Sequence, residues 1–206
     1  MEQQFQYYAF ISYKREDEKW AKWLQDRLRW YKLPSKLCRQ ITRLPKKVWP
    51  VFRDNTDLDS GRLEENIRHE LERSHYLIVI CSPEAARSPW VGKEVKYFAT
   101  LHGADKIIPF VVSGIPYSND IETECIHEQI KAISQEELLA INVREEGIGS
   151  FAMKKKRAFI RVVARLLDIK FNTLWQPYER ILRIRKWSTG IGVVLFLFVL
   201  FIRSEE

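Results

Sequence analysis

Two short stretches of this 206-residue chain carry side chains suited to chemistry on a bound ligand. Ser12, Tyr13, Lys14 and Arg15 follow an apolar run and lead into a helical pattern. Cations beside the backbone N–H groups of a helix start suit a phosphate or pyrophosphate. The same four residues also fit a solvated helix cap with ordinary surface charge. The second stretch holds Ser82, Ser88, Trp90 and Glu94. Trp90 and Glu94 are four apart, so on a helix they share a face and join an aromatic surface to a carboxylate. They fit equally a core tryptophan and an exposed glutamate paired with Lys93 or Arg87.

The elements that must position these residues are legible from periodicity. Gln6–Ser12 is aromatic and β-branched-rich, and reads as a buried strand. In Glu16–Lys32, Trp20, Trp23, Leu24, Leu28 and Tyr31 form a 3.6-residue stripe, and Glu16, Asp17 and Glu18 sit in the first turn. Ser35–Pro45 reads as irregular. Lys47–Arg53 reads as a second strand, at an edge because of Pro50. Asp54–Ser60 is a polar loop, followed by a helix over Arg62–Arg73. His75–Cys81 is a near-continuous apolar run, the pattern of a central parallel strand. A helix over Pro89–Leu101, a strand over Lys106–Val112, a helix over Glu122–Ile133 and a weaker strand over Leu138–Val143 follow. Phe151–Phe171 closes the series as a long helix with Phe159, Val162, Val163, Leu166 and Ile169 inward.

Strand and helix alternate five times. The expected fold class is α/β: a flavodoxin-like five-stranded parallel sheet of order 2-1-3-4-5 with helices on both faces. In that order the ligand crevice opens beyond the carboxyl ends of strands 1 and 3, where the winding reverses. Ser12–Arg15 would form its floor and Cys81–Glu94 its other wall.

Several chemistries are set aside. A phospho-receiver would need aspartate at the end of strand 3, where Cys81-Ser82 stands. The chain has no GxxxxGK[ST], HExxH, GxGxxG or GxSxG motif. His69, His75, His102 and His127 are scattered and read as structural or surface residues. Cys38, Cys81 and Cys125 are odd in number and widely spaced, so neither a disulfide framework nor a metal site is expected. Cys81, inside an apolar strand, reads as inert.

Net charge is +7, unevenly spread. Residues 1–150 hold 22 Lys+Arg against 23 Asp+Glu, and residues 151–206 hold 12 against 4. A nucleic-acid binder more often spreads basic residues over its folded face, so none is expected as partner. A basic segment beside an apolar run points to a lipid bilayer. Trp187–Ile202 (WSTGIGVVLFLFVLFI) is uncharged over 16 residues. As a helix it spans roughly 24 Å, which snorkelling by Lys186 and Arg203 would extend. Arg180, Arg183, Arg185 and Lys186 precede it and only Arg203 follows, so the positive-inside rule puts residues 1–186 in the cytoplasm. Residues 1–25 lack an apolar signal region. The expected localisation is a single-pass, tail-anchored protein of the cytoplasmic membrane, or a fragment of a longer chain. The expected segments are a domain at 5–168, a basic juxtamembrane stretch at 169–186 and a transmembrane helix at 187–202.

Three boxes now point to a family. Phe10-Ile-Ser-Tyr-Lys-Arg15 resembles the first conserved box of Toll/interleukin-1 receptor (TIR) domains. Phe52-Arg-Asp54 through Asp57-Leu58 and Gly61 resembles their second box and BB loop. Ser82-Pro83 with Ser88-Pro-Trp90 and Glu94 is similar to the segment that enters and forms their third helix. The resemblance covers about residues 5–168, and the long Leu33–Lys47 stretch is similar to bacterial members. Some TIR domains are assembly modules; others cleave NAD between nicotinamide and ribose. The resemblance implies Glu94 as the catalytic glutamate, four residues after Trp90. It implies a substrate cleft lined by Phe10, Ser12, Tyr13, Lys14, Arg15 and Trp90, with Asp59 in the BB loop that folds over the substrate. Pro89 before Trp90 departs from the pattern.

The expectation is therefore a membrane-anchored NAD glycohydrolase. Its product would be ADP-ribose or a cyclic ADP-ribose, and its role bacterial defence or signalling. NAD would be substrate, with no cofactor and no metal, and self-association through TIR domains would complete the cleft. The alternatives are a non-catalytic TIR adaptor and a membrane-tethered nucleotide sensor.

Overall fold

A computed structural model of the chain describes residues 5–41, 44–45, 47–53, 61–133, 140–144 and 150–176. Five parallel strands form one sheet: β1 (Tyr7–Ser12), β2 (Val51–Arg53), β3 (Ser74–Cys81), β4 (Ile107–Val111) and β5 (Ile141–Asn142). Their order is β2-β1-β3-β4-β5, with β2 and β5 at the edges. The winding reverses between β1 and β3, which pair in register from Tyr7 with Ser74 to Ser12 with Val79. β1 and β3 therefore end side by side, and the loops that leave them start from one place.

The helices are α1 (Glu18–Trp30), α2 (Ser35–Gln40), α3 (Gly61–Glu72), α4 (Pro83–Ala86), α5 (Pro89–His102), α6 (Glu128–Ile133) and α7 (Phe151–Leu166). They cover both faces of the sheet. On one face Phe10, Leu77, Val79, Ile107 and Val111 pack with Ile67 and Leu71 of α3, Val91, Val95 and Phe98 of α5 and Ile130 of α6. On the other face Trp23 of α1 stacks on Phe110 of β4 at 6.4 Å and meets Phe159 of α7 edge-on. Each large side chain buried here adds roughly 1.5–3 kcal/mol of apolar transfer energy. The strands read as continuous apolar runs because both faces are covered.

The structure differs from the periodicity in instructive places. Ser35–Gln40 is helical where an irregular stretch was expected, because Leu37 buries itself and gives a short segment its apolar anchor. The helix expected over Glu122–Ile133 is present only as α6. Before it, Glu124 accepts the backbone N–H groups of Tyr117 at 3.2 Å and Ile126 at 2.7 Å, holding 117–126 as a turn-rich segment. α7 ends at Leu166 rather than Phe171, and Asp168 takes a positive φ of 50°. Ser82-Pro83 opens α4, with Ser82 as its cap and proline at its first turn.

The chain divides into two compact units, one ending at Asp168 and one beginning at Ile169. In the second, residues 171–176 are helical and the rings of Phe171 and Trp175 stack at 5.5 Å. Among the described residues, no helix is long and apolar enough to cross a membrane. The run Trp187–Ile202 and the loop residues 54–60, including Asp59, lie outside the described residues.

Candidate active site

Where β1 and β3 end, two serine–carboxylate pairs cross the switch point in opposite senses. Ser12, the last residue of β1, donates its hydroxyl to Glu94 Oε2 of α5 at 2.5 Å. Ser82, just after β3, donates to Asp17 Oδ2, which lies beyond β1 in a short 3-10 turn (Arg15–Asp17). Exposure is 1% at Ser12, 4% at Glu94, 0% at Ser82 and 8% at Asp17, so all four groups sit largely out of water. A hydrogen bond to an ionised group is about twice as strong as a neutral one, and an unmet buried carboxylate is costly. Both carboxylates therefore need their serine partners. For Asp17, burial pushes the carboxyl above the usual carboxylate range, and the Ser82 hydroxyl pulls partly against that shift.

The seat of α5 explains why Glu94 reaches Ser12. Ser88 caps the helix by accepting the Val91 N–H at 3.5 Å, and Pro89 occupies the first turn. The Pro89 departure from the family pattern is thus accommodated as helix entry. His127 holds this end from the side. Its Nδ1 accepts the Gln129 N–H at 3.0 Å, which leaves Nε2–H to donate to the Ser88 carbonyl at 3.1 Å. The imidazole lies flush on α5 at Gly92, where a Cβ would stand 2.5 Å from Cε1 of the ring. Only glycine permits that approach. Burial pulls His127 below the ordinary imidazole range, as a neutral, two-bonded ring requires.

Glu94 also lines a groove of about 300 Å³ between α3 and α5, with Trp90, Tyr97, Ile67 and Leu71 among its walls. Trp90 is half-buried, packed against the core below, and Lys93 Nζ sits 5.7 Å from its ring centroid. Arg68 lies over Tyr97 at 5.4 Å, and the Tyr97 hydroxyl donates to Glu72 at 2.5 Å. The groove thus joins flat aromatic surface to a buried carboxylate and the cations of Arg68, Lys93 and Lys96. Such a wall can stack a heteroaromatic ring and stabilise positive charge next to it. Among the described residues, no group of three or more His, Cys, Asp or Glu side chains is arranged to hold a metal ion.

The structure brings Ser12, Trp90 and Glu94 together, while Phe10 and Tyr13 are engaged elsewhere and Asp59 lies outside the described residues. The reading of Glu94 as an exposed partner of Lys93 or Arg87 does not hold, because the carboxylate is buried and turned to β1. Phe10 is fully buried and stacked on Phe52 at 5.2 Å, so it is core beneath the site. The Tyr13 hydroxyl accepts Arg53 Nη1 at 3.1 Å, and Arg53 also reaches Gln25 and Glu18. Tyr13 therefore faces the β2–α1 edge. Lys14 is half-buried at the start of the 3-10 turn, and Arg15 is exposed. The sequence marks Asp17 only as a favourable first-turn acid, because no periodicity separates a buried Asp from its exposed neighbours Glu16 and Glu18.

A family model described as TIR domain matches residues 9–146. The chain is 36% identical over 110 residues to the NAD(+) hydrolase ApTIR of Actinoplanes sp. (strain ATCC 31044 / CBS 674.73 / SE50/110). That match takes in 52% of this chain and 14% of the relative, so the chain spans a small part of that protein's length. Among solved structures, the TIR domains of the activated Roq1 resistosome recognising the pathogen effector XopQ match with a TM-score of 0.48 and 14% identity. That match covers 75% of this chain and 98% of the other.

Proposed function

The chain belongs to the TIR domain family, and from that membership we propose that it cleaves NAD+ between nicotinamide and ribose, with Glu94 as the catalytic carboxylate. The observation that carries this reading is Glu94 itself: buried in the wall of an aromatic groove between α3 and α5, its carboxylate held by Ser12 at the end of β1. The regional likeness to a relative named as an NAD(+) hydrolase supports the choice of substrate.

In the proposed reaction the bond between ribose C1′ and the pyridinium nitrogen breaks. Its electron pair stays on the nitrogen, so nicotinamide leaves neutral and needs no general acid. The ribosyl carbon becomes oxocarbenium-like. The Glu94 carboxylate stabilises that charge and accepts hydrogen bonds from the ribose hydroxyls. Trp90 offers a stacking face, and Lys14 and Arg15 are the cations assigned to the pyrophosphate. Water attack at C1′ with loss of a proton gives ADP-ribose. Attack by an adenine nitrogen gives a cyclic product. No cofactor or metal enters either route.

The same reading assigns Asp59 and the 54–61 loop to substrate closure and to contacts between TIR domains. It assigns 187–202 to a membrane anchor, 169–186 to a basic segment at the cytoplasmic surface and the domain at 5–168 to the cytoplasm. Tethering would raise local concentration and favour self-association in defence or signalling. Incubation of the purified full-length chain with NAD+, following NAD+ loss and nicotinamide release, tests the proposal. Catalytic turnover supports it. Absence of turnover in a folded, self-associated sample leaves the adaptor in its place.

A further inference from the structure

The 82–94 segment is tied to the end of β1 at two points, and only one of them is Glu94. Between Ser12 and Asp17 the chain runs through the 3-10 turn. Between Ser82 and Glu94 it runs through α4, Ser88 and the first turns of α5. The Ser12–Glu94 and Ser82–Asp17 hydrogen bonds close these two stretches into one ring across the switch point. Ser82 works in both directions. Its hydroxyl donates to Asp17, and its Oγ accepts the Ala85 N–H at 3.1 Å while its carbonyl accepts the Ala86 N–H at 2.9 Å. The Ser88 N–H then bonds the Ala85 carbonyl at 3.1 Å, and the Gly92 N–H bonds the Ser88 carbonyl at 3.1 Å. A continuous hydrogen-bonded path therefore runs from the Asp17 carboxylate into α5.

We propose that Asp17 is a positioning residue for Glu94: by holding the Ser82 hydroxyl it fixes α4 and the entry of α5, and so the Glu94 carboxylate, against the end of β1. The proposal rests on the NAD-cleaving reading for its kinetic consequence but not for its structural one. His127 holds the same helix end through a separate bond to the Ser88 carbonyl. Loss of Asp17 therefore shifts α5 rather than unfolding it. Displacement on the order of 1 Å is enough to weaken a preorganised charge.

The test compares Asp17→Ala, Asp17→Asn and Ser82→Ala in the full-length chain. Three readouts are used: NAD+ turnover, thermal unfolding, and hydrogen–deuterium exchange of the amides of residues 83–92. An asparagine side-chain carbonyl still accepts the Ser82 hydroxyl; alanine cannot. Asp17→Ala and Ser82→Ala should each lower kcat on the order of ten- to a hundredfold with KM little changed, and each should speed exchange over 83–92. Asp17→Asn should stay within about threefold of wild type and keep wild-type exchange. In a Glu94→Gln background, Asp17→Ala should add almost no further loss, because it acts through that residue. Wild-type kcat in Asp17→Ala, or Asp17→Asn as damaged as Asp17→Ala, overturns the proposal. A wild-type chain without turnover removes the catalytic reading alone. Exchange over 83–92 then decides the positioning role, and unchanged exchange in Asp17→Ala and Ser82→Ala rejects it. Ser82→Ala keeps the test decisive should Asp17→Ala fail to fold.

Discussion

Ser12 donates its hydroxyl to Glu94 at 2.5 Å across 82 positions of sequence, joining the end of β1 to the middle of α5. The bond joins the end of β1, beside the point where the sheet changes winding direction, to α5, and both partners are buried. It ties the Glu94 carboxylate to the parallel sheet. Ser12→Ala removes the hydroxyl donor from a buried carboxylate, which costs about 1.5–3 kcal/mol for a charge-assisted bond. Thermal unfolding should report that loss, and NAD+ turnover should fall about tenfold or more as Glu94 loses its orientation. Unchanged unfolding and turnover would show that the bond contributes nothing.

Gly92 is the contact point between α5 and His127. A methyl group there would sit 2.5 Å from the imidazole, so Gly92→Ala should destabilise the domain by about 1–3 kcal/mol as an overpacked site. Truncating the ring relieves the clash, so the Gly92→Ala, His127→Ala double variant should unfold at a higher temperature than the two single losses would sum to. Strict additivity in the melting data would contradict the contact.

His75, His102 and His127 all have their ionisation pulled below the ordinary imidazole range, in each case first by burial. Lys106 adds to the shift at His75, while Glu128 opposes it at His127. The folded state therefore holds these rings neutral, and the unfolded chain binds protons more readily. Their stabilising contribution is complete above the unfolded value of about 6.5 and is lost as pH falls through it toward the lower folded values. Thermal unfolding followed from about pH 7.5 down to 5 should show a falling Tm. Replacing His75 with glutamine should flatten part of that slope; an unaltered slope would contradict the assignment for this ring.

Fold and site differ in how much of each the sequence makes legible. The sheet order followed from apolar runs, with β3 continuous and β2 marked as an edge by Pro50, because a strand covered on both faces must be apolar throughout. The pairing of Trp90 with Glu94 followed from helical spacing. The partners of the carboxylates did not, because Ser12 and Ser82 reach across the sheet to residues 82 and 65 positions away. Local pattern carries no such contact. Short elements were also hidden: α2 and α4 are six and four residues long, too short to establish a period.

The run Trp187–Ile202 is uncharged and follows a cluster of arginines, which motivates the membrane anchor. Deleting residues 187–206 should move the protein from the membrane fraction to the soluble fraction. Identical fractionation of the full and truncated chains would reject the anchor.

The central claim is that the charge of Glu94 drives cleavage. Glu94→Gln keeps the size of the side chain and an acceptor for the Ser12 hydroxyl, and removes only the negative charge. The exposed Glu65 of α3 supplies the control, Glu65→Gln. The decisive measurement is NAD+ turnover of both variants in the full-length chain, with thermal unfolding run alongside. The account predicts a loss on the order of 10²–10³ in turnover for Glu94→Gln, cooperative unfolding retained, and wild-type turnover for Glu65→Gln. Wild-type turnover in Glu94→Gln, or a loss accompanied by unfolding of the domain, would contradict it.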